Sequence, residues 1–181
     1  MKFISKLILR FTGWKITGSL PQGVTKTVII MAPHTSNMDF YIGWFALRAL
    51  DIKPSLLIKK EAFRFPFGIL LKVMGGIPLD RDKSRNDIKY VASLFDKKEM
   101  LHIVITPEGT RKLSRNWKRG FYFIAERAKV PIIFGYMDYG SKSGGIGGKI
   151  EPTGNFEEDF KKIEDFYRGK RARHPENFNL S

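Results

Sequence analysis

The sequence predicts an α/β fold: one domain with a mixed, mostly parallel sheet flanked by helices and an amphipathic helix at its N-terminus. Three observations carry this. Residues 27–32 are β-branched or apolar throughout, without the alternation of a half-exposed strand, as expected of a strand covered on both faces. Further apolar runs at 54–58, 101–106 and 130–137 are separated by stretches of helical periodicity, the alternation that builds α/β layers. At 181 residues the chain fits one domain with a substantial core, 1–181.

Taken in order, residues 2–15 form the amphipathic helix. Phe3, Ile4, Leu7, Ile8, Phe11 and Trp14 share one face, Lys2, Lys6 and Arg10 line the other, and Leu9 falls outside the pattern. An apolar face with Phe and Trp beside a basic face suits an anionic membrane interface, and equally a helix docked on its own core. The segment 1–17 is assigned to this element. Residues 18–26 read as a turn-rich linker, and 38–50 as a helix capped by Ser36 or Asn37. Residues 59–76 read as helix, with Phe63, Phe65, Phe67, Ile69, Leu70 and Leu71 exceeding one core-facing stripe; they face the core, lipid or an acyl chain. Residues 86–99 place Ile88, Val91, Leu94 and Phe95 inward. A helix over 120–129 follows, then a glycine-rich hairpin or mobile loop at 140–148, a last strand near Ile150, and a charged helix over 157–171.

The charge balance narrows the partners. Thirty-two Lys+Arg against 18 Asp+Glu give a formal +14, which favours nucleic acid, anionic lipid, phosphorylated substrates or an acidic carrier protein. The basic residues are spread along the chain without an RNA- or DNA-binding signature, so nucleic acid is not the expected partner. With no cysteine, disulfides, thiolate nucleophiles and cysteine metal sites are excluded, and three scattered histidines argue against a structural zinc site. No apolar run reaches the roughly 18 residues of a spanning helix, and Lys6 and Arg10 interrupt the early apolar residues, so no cleavable signal is expected. The expected location is cytoplasmic, on the inner face of a membrane.

Two loops carry candidate chemistry. His34 follows the strand at 27–32 and Glu108 follows the strand at 101–106; ligands gather beyond the carboxyl ends of such strands. Asp39, one helical turn on, is placed to orient His34 as a general base. In Pro107-Glu108-Gly109-Thr110-Arg111 a proline ends the strand and the glycine lets backbone approach a ligand. Arg111 suits bidentate phosphate binding, with Arg81 as a second arginine candidate.

Four blocks occur in order: His34-Thr35-Ser36-Asn37-Met38-Asp39, Gly76-Ile77-Pro78-Leu79-Asp80-Arg81, Pro107-Glu108-Gly109-Thr110-Arg111 and Val130-Pro131-Ile132-Ile133. Together they resemble the glycerolipid acyltransferases, the 1-acylglycerol-3-phosphate (lysophosphatidate) O-acyltransferase family, over about residues 28–136. The resemblance implies acyl transfer from acyl-CoA or acyl carrier protein to a lysophospholipid hydroxyl. His34 would be the base and Asp39 its orienter, while Arg81, Glu108, Gly109, Thr110 and Arg111 would bind the acceptor. No metal or tightly bound cofactor is implied. The sequence departs from the family at Pro33, usually asparagine, at Lys112, commonly serine, and at Phe134, where a second proline is typical. A thioester or phosphoester hydrolase using the same pair is the competing reading.

Overall fold

The computed structural model describes residues 1–65, 67–79 and 84–180, and only the backbone of 67 and 84–86. Among these, seven strands form one sheet: β1 (Lys15–Thr17), β2 (Lys26–Ala32), β3 (Pro54–Lys59), β4 (Gly76–Leu79), β5 (Leu101–Ile105), β6 (Ile132–Asp138) and β7 (Ser143–Ile150). Their order is β1-β7-β6-β2-β5-β3-β4, and every neighbouring pair is parallel except β6 and β7. The helices are α1 (Lys2–Phe11), α2 (Asn37–Ala49), α3 (Phe67–Val73), α4 (Ser84–Asp96), α5 (Gly120–Ala128) and α6 (Phe156–Tyr167).

β2 runs through the middle, and its unbroken apolar run serves both faces. Val28, Ile30 and Ala32 join a core with α4, α5 and α6 that includes Val91, Phe95, Phe121 and Tyr167. Ile29 and Met31 point the other way, into a core with Leu9 of α1, Leu47 of α2 and Ile133. Alternate side chains on a strand point to opposite faces, so a strand buried on both sides must be apolar at every position. The inward set expected for 86–99 is found in α4: Val91 and Phe95 are buried, and Ile88 and Leu94 pack against them.

Several elements differ from expectation. The first helix stops at Phe11; the chain turns at Gly13, whose φ of 80° suits glycine, and residues 15–17 become the edge strand β1 beside β7. Within 59–76 only residues 67–73 are α-helical. β3 extends to Lys59, a 3₁₀ turn covers Lys60–Phe63, and Gly76 starts β4 at the sheet edge, where Pro78 is tolerated. The glycine-rich stretch takes the expected hairpin, not the mobile loop, and the strand expected near Ile150 begins at Ser143: β7 pairs antiparallel with β6. Here glycine has a packing cause, since a Cβ on Gly145 would lie 2.0 Å from the Thr17 carbonyl oxygen of β1.

Most of the apolar face of α1 is open, although Ile8 is half-buried and Trp14, expected on this face, lies beyond the helix and is buried in the core with Leu9. Phe3 is 77% and Phe11 83% exposed, with Ile4 and Leu7 also open, while Leu9 and Ser5 face the core. Leu9, the residue outside the amphipathic pattern, is the docking residue. On α3 and just before it, Phe65, Ile69, Leu70 and Val73 are likewise exposed. No helix among the described residues is long and apolar enough to cross a membrane.

Candidate active site

The sheet order brings the site together. β5, β2 and β6 are parallel neighbours, so their carboxyl ends lie side by side and deliver Glu108, His34 and Tyr139 to one edge. The loop after β2 is shaped by the start of α2. Ser36 is the N-cap, accepting from the Met38 N–H at 3.1 Å, and Asp39 completes a capping box by accepting from the Ser36 N–H at 2.7 Å. Asp39 Oδ2 also accepts from the Thr35 N–H at 2.7 Å, and Oδ1 from the Ser36 hydroxyl at 3.0 Å and the Tyr139 hydroxyl at 2.5 Å. Asp39 is only 2% exposed. Four donors thus fix the carboxylate that faces His34, whose Nδ1 lies 3.8 Å from Asp39 Oδ2.

His34 is held by its backbone as well. Both oxygens of Glu108 accept from its N–H at 3.0 Å, and Glu108 is 3% exposed. Burial is the largest influence on Glu108 and outweighs that hydrogen bond; with the nearby Asp39 charge, it pushes the carboxyl up to about 7. Burial also lowers the His34 pKa, with Arg111 acting in the same direction and Asp39 opposing. A histidine biased toward its neutral form, with Nδ1 turned to a carboxylate, has Nε2 available to accept a proton.

A cavity of about 340 Å³ opens at this point, lined by His34, Asn37, Phe40, Tyr41 and Arg111. The Arg111 guanidinium donates to the Asn37 side-chain oxygen, which holds the arginine across the mouth beside His34. Gly109 has φ 68°, the left-handed conformation that glycine adopts freely, and turns the chain so that Thr110 and Arg111 are exposed. Of the six expected substrate-facing and orienting partners of His34, Asp39 and Glu108 touch it, Arg111 shares its cavity, and Gly109 and Thr110 form the turn between. Arg81 lies outside the described residues.

Three contributors were not expected. Tyr139, packed edge-on against Trp14 at 5.0 Å, holds Asp39. Thr35 accepts from the His174 N–H at 3.1 Å, and the Arg171 carbonyl accepts from the Tyr139 N–H at 2.8 Å, so the segment after α6 straps the catalytic loop. Tyr139 follows β6, so the carboxyl-end rule would have found it had the order of strands been known. The strap has no sequence signal. His102, by contrast, is a core residue bonded to Thr27 at 3.0 Å.

The model of the acyltransferase family matches residues 15–134. The chain belongs to the acyltransferase family. The match spans all four blocks, so the glycerolipid acyltransferase resemblance is borne out. Among solved structures, the acyltransferase chain superposes on the 1-acyl-sn-glycerophosphate acyltransferase PlsC from Thermotoga maritima with a TM-score of 0.66, at 17% identity, covering 91% of this chain and 74% of that one. That likeness extends to the fold. A search of curated proteins gives no match.

Proposed function

We propose that this acyltransferase moves a fatty acyl group from acyl-CoA or acyl carrier protein to the hydroxyl of a lysophospholipid, with 1-acylglycerol-3-phosphate as the acceptor. The observation that carries the reading is the pairing of a half-buried, neutral-leaning His34 with Arg111 in one cavity, a base and a phosphate-binding group within reach of one small acceptor. The 1-acyl-sn-glycerophosphate acyltransferase activity of the Thermotoga maritima protein supports that acceptor.

In this mechanism the acceptor hydroxyl gives its proton to His34 Nε2 as its oxygen attacks the thioester carbonyl. The tetrahedral intermediate collapses, the C–S bond breaks, and the leaving thiolate takes the proton back from the imidazolium. Attack is direct, which suits a chain with no cysteine. Asp39 steadies the imidazolium, Glu108 holds the His34 backbone, and Arg111, with Arg81, Gly109 and Thr110 assisting, binds the phosphate. The outward apolar face of α1 and the basic surface support peripheral binding to the inner, anionic face of a membrane, where such acceptors reside.

The test is turnover of acyl-CoA and acyl carrier protein thioesters against a panel of lysolipids, with His34→Ala and Arg111→Ala alongside. His34→Ala is expected to lose most turnover while still binding lipid, and Arg111→Ala chiefly to raise the acceptor KM. Turnover near wild type in His34→Ala refutes the base; release of free fatty acid independent of acceptor makes the protein a thioesterase.

A further inference from the structure

A second cavity, larger than the one at His34, lies apart from it. It has a volume of about 440 Å³, lies between α1, β1 and the end of α2, and shares no lining residue with the cavity at His34. Its floor is apolar, formed by Leu9, Trp14 and Leu50, and its rim carries Lys6, Arg10 and Lys15. Among the described residues none of these three cations pairs with a carboxylate, and the acid beside Leu50, Asp51, is taken by Lys2 at 3.4 Å. A fourth cation is close: a Cβ on Gly13 would meet the Cδ and Nζ of Lys142 at 3.6 Å. Four positive charges without a carboxylate partner among the described residues, set around an apolar floor, suit an anion that also carries hydrocarbon.

The helix geometry states where that hydrocarbon goes. At 100° per residue, Lys6 and Arg10 of α1 lie between the core-facing side, Ser5 and Leu9, and the outward side, Phe3, Leu7 and Phe11. The basic rim therefore adjoins the exposed apolar face. We infer that this cavity holds the phosphate headgroup of one anionic membrane phospholipid, whose acyl chains leave along the outward face of α1. The inference rests on the reading of α1 as the membrane-facing element. It adds to that reading a discrete, saturable site in place of diffuse attraction between a basic surface and an acidic one.

The experiment is calorimetric titration of the full chain with short-chain phosphatidylglycerol below its micelle concentration, where no bilayer exists. One lipid is expected to bind per chain. Lys6→Gln/Arg10→Gln/Lys15→Gln should weaken it about a hundredfold, the scale expected for three basic groups near an anionic lipid surface. Leu50→Trp, which fills the cavity without changing charge, should abolish it, and Arg111→Ala should leave it unchanged. If Leu50→Trp fails to fold, the triple variant, all at exposed positions, carries the test alone. Binding that survives the triple variant, disappears in Arg111→Ala, is matched by short-chain phosphatidylcholine, or is displaced equally well by inorganic phosphate overturns the site. Vesicles of phosphatidylcholine with and without phosphatidylglycerol separate the two readings. Failure of the wild type to bind either refutes the membrane reading itself, whereas vesicle binding without a stoichiometric monomer titration refutes the cavity alone.

Discussion

Glu108→Gln isolates a buried carboxyl whose hydrogen-bond compensation, among the described residues, is the His34 N–H. In the unfolded chain Glu108 titrates near 4.5, and in the fold it is pushed up to about 7. Between those values the native state binds more protons at this position than the unfolded one, so its stabilising contribution is present below pH 4.5 and is lost as pH rises through about 7. The difference corresponds to about 3 kcal/mol at a residue with almost no solvent contact. Glutamine has the same shape, keeps an oxygen for the His34 N–H and does not titrate. Urea denaturation of both proteins across the range should show wild-type stability, measured relative to Glu108→Gln, falling by about 3 kcal/mol from the acid to the alkaline side. A stability difference that stays constant with pH refutes the desolvated carboxyl, and with it the account of how the His34 backbone is held.

Other outcomes follow from the same site and core. The acid limb of kcat/KM against pH should fall below 6.5, because burial lowers the His34 pKa; a limb above that value contradicts the neutral base. Tyr139→Phe removes one donor from Asp39 while leaving the ring on Trp14. The charge facing His34, which also has Glu108 and Arg111 as neighbours, is then less neutralised, so the limb should move to higher pH and kcat should drop about tenfold, ~1.4 kcal/mol in barrier. An unchanged limb with unchanged kcat would reduce Tyr139 to packing. Tyr122→Phe leaves the buried Asp159 without its Tyr122 hydroxyl and the Gly154 N–H without an acceptor, and should cost about 1–3 kcal/mol in urea melts without shifting the pH profile.

What the sequence disclosed and what it hid divide along a physical line. Local chemistry was legible: Ser36 at a cap, the proline and glycine that end β5 and turn the chain at Gly109, and the inward stripe of α4 each depend on residues a few positions apart. The two-sided burial of β2 was legible because every position is apolar. Strand order was not, since it depends on which distant segments pair, and so Tyr139 and the strap through Arg171 and His174 stayed hidden. Residues 15–17 fall with the N-terminal helix on sequence alone, yet the turn at Gly13 and pairing with β7 decide their state. Periodicity placed Phe3, Ile4, Leu7 and Phe11 together on the open side, but it also placed Trp14 there, which the turn at Gly13 carries into the core beside Leu9, the residue outside the pattern.

The capping box at Ser36 and Asp39 ties the reaction to the helix–coil equilibrium of α2. The hydrogen bonds that begin the helix are the ones that aim the carboxylate, so fraying of the first turn and loss of the base are one event. Local opening costs less free energy than global unfolding. On warming, turnover should therefore decline before the sheet melts, in step with amide hydrogen exchange at Thr35 and Ser36. Thermal optimum then becomes a property of one helix terminus, adjustable through the cap and the Thr35 strap without touching the core.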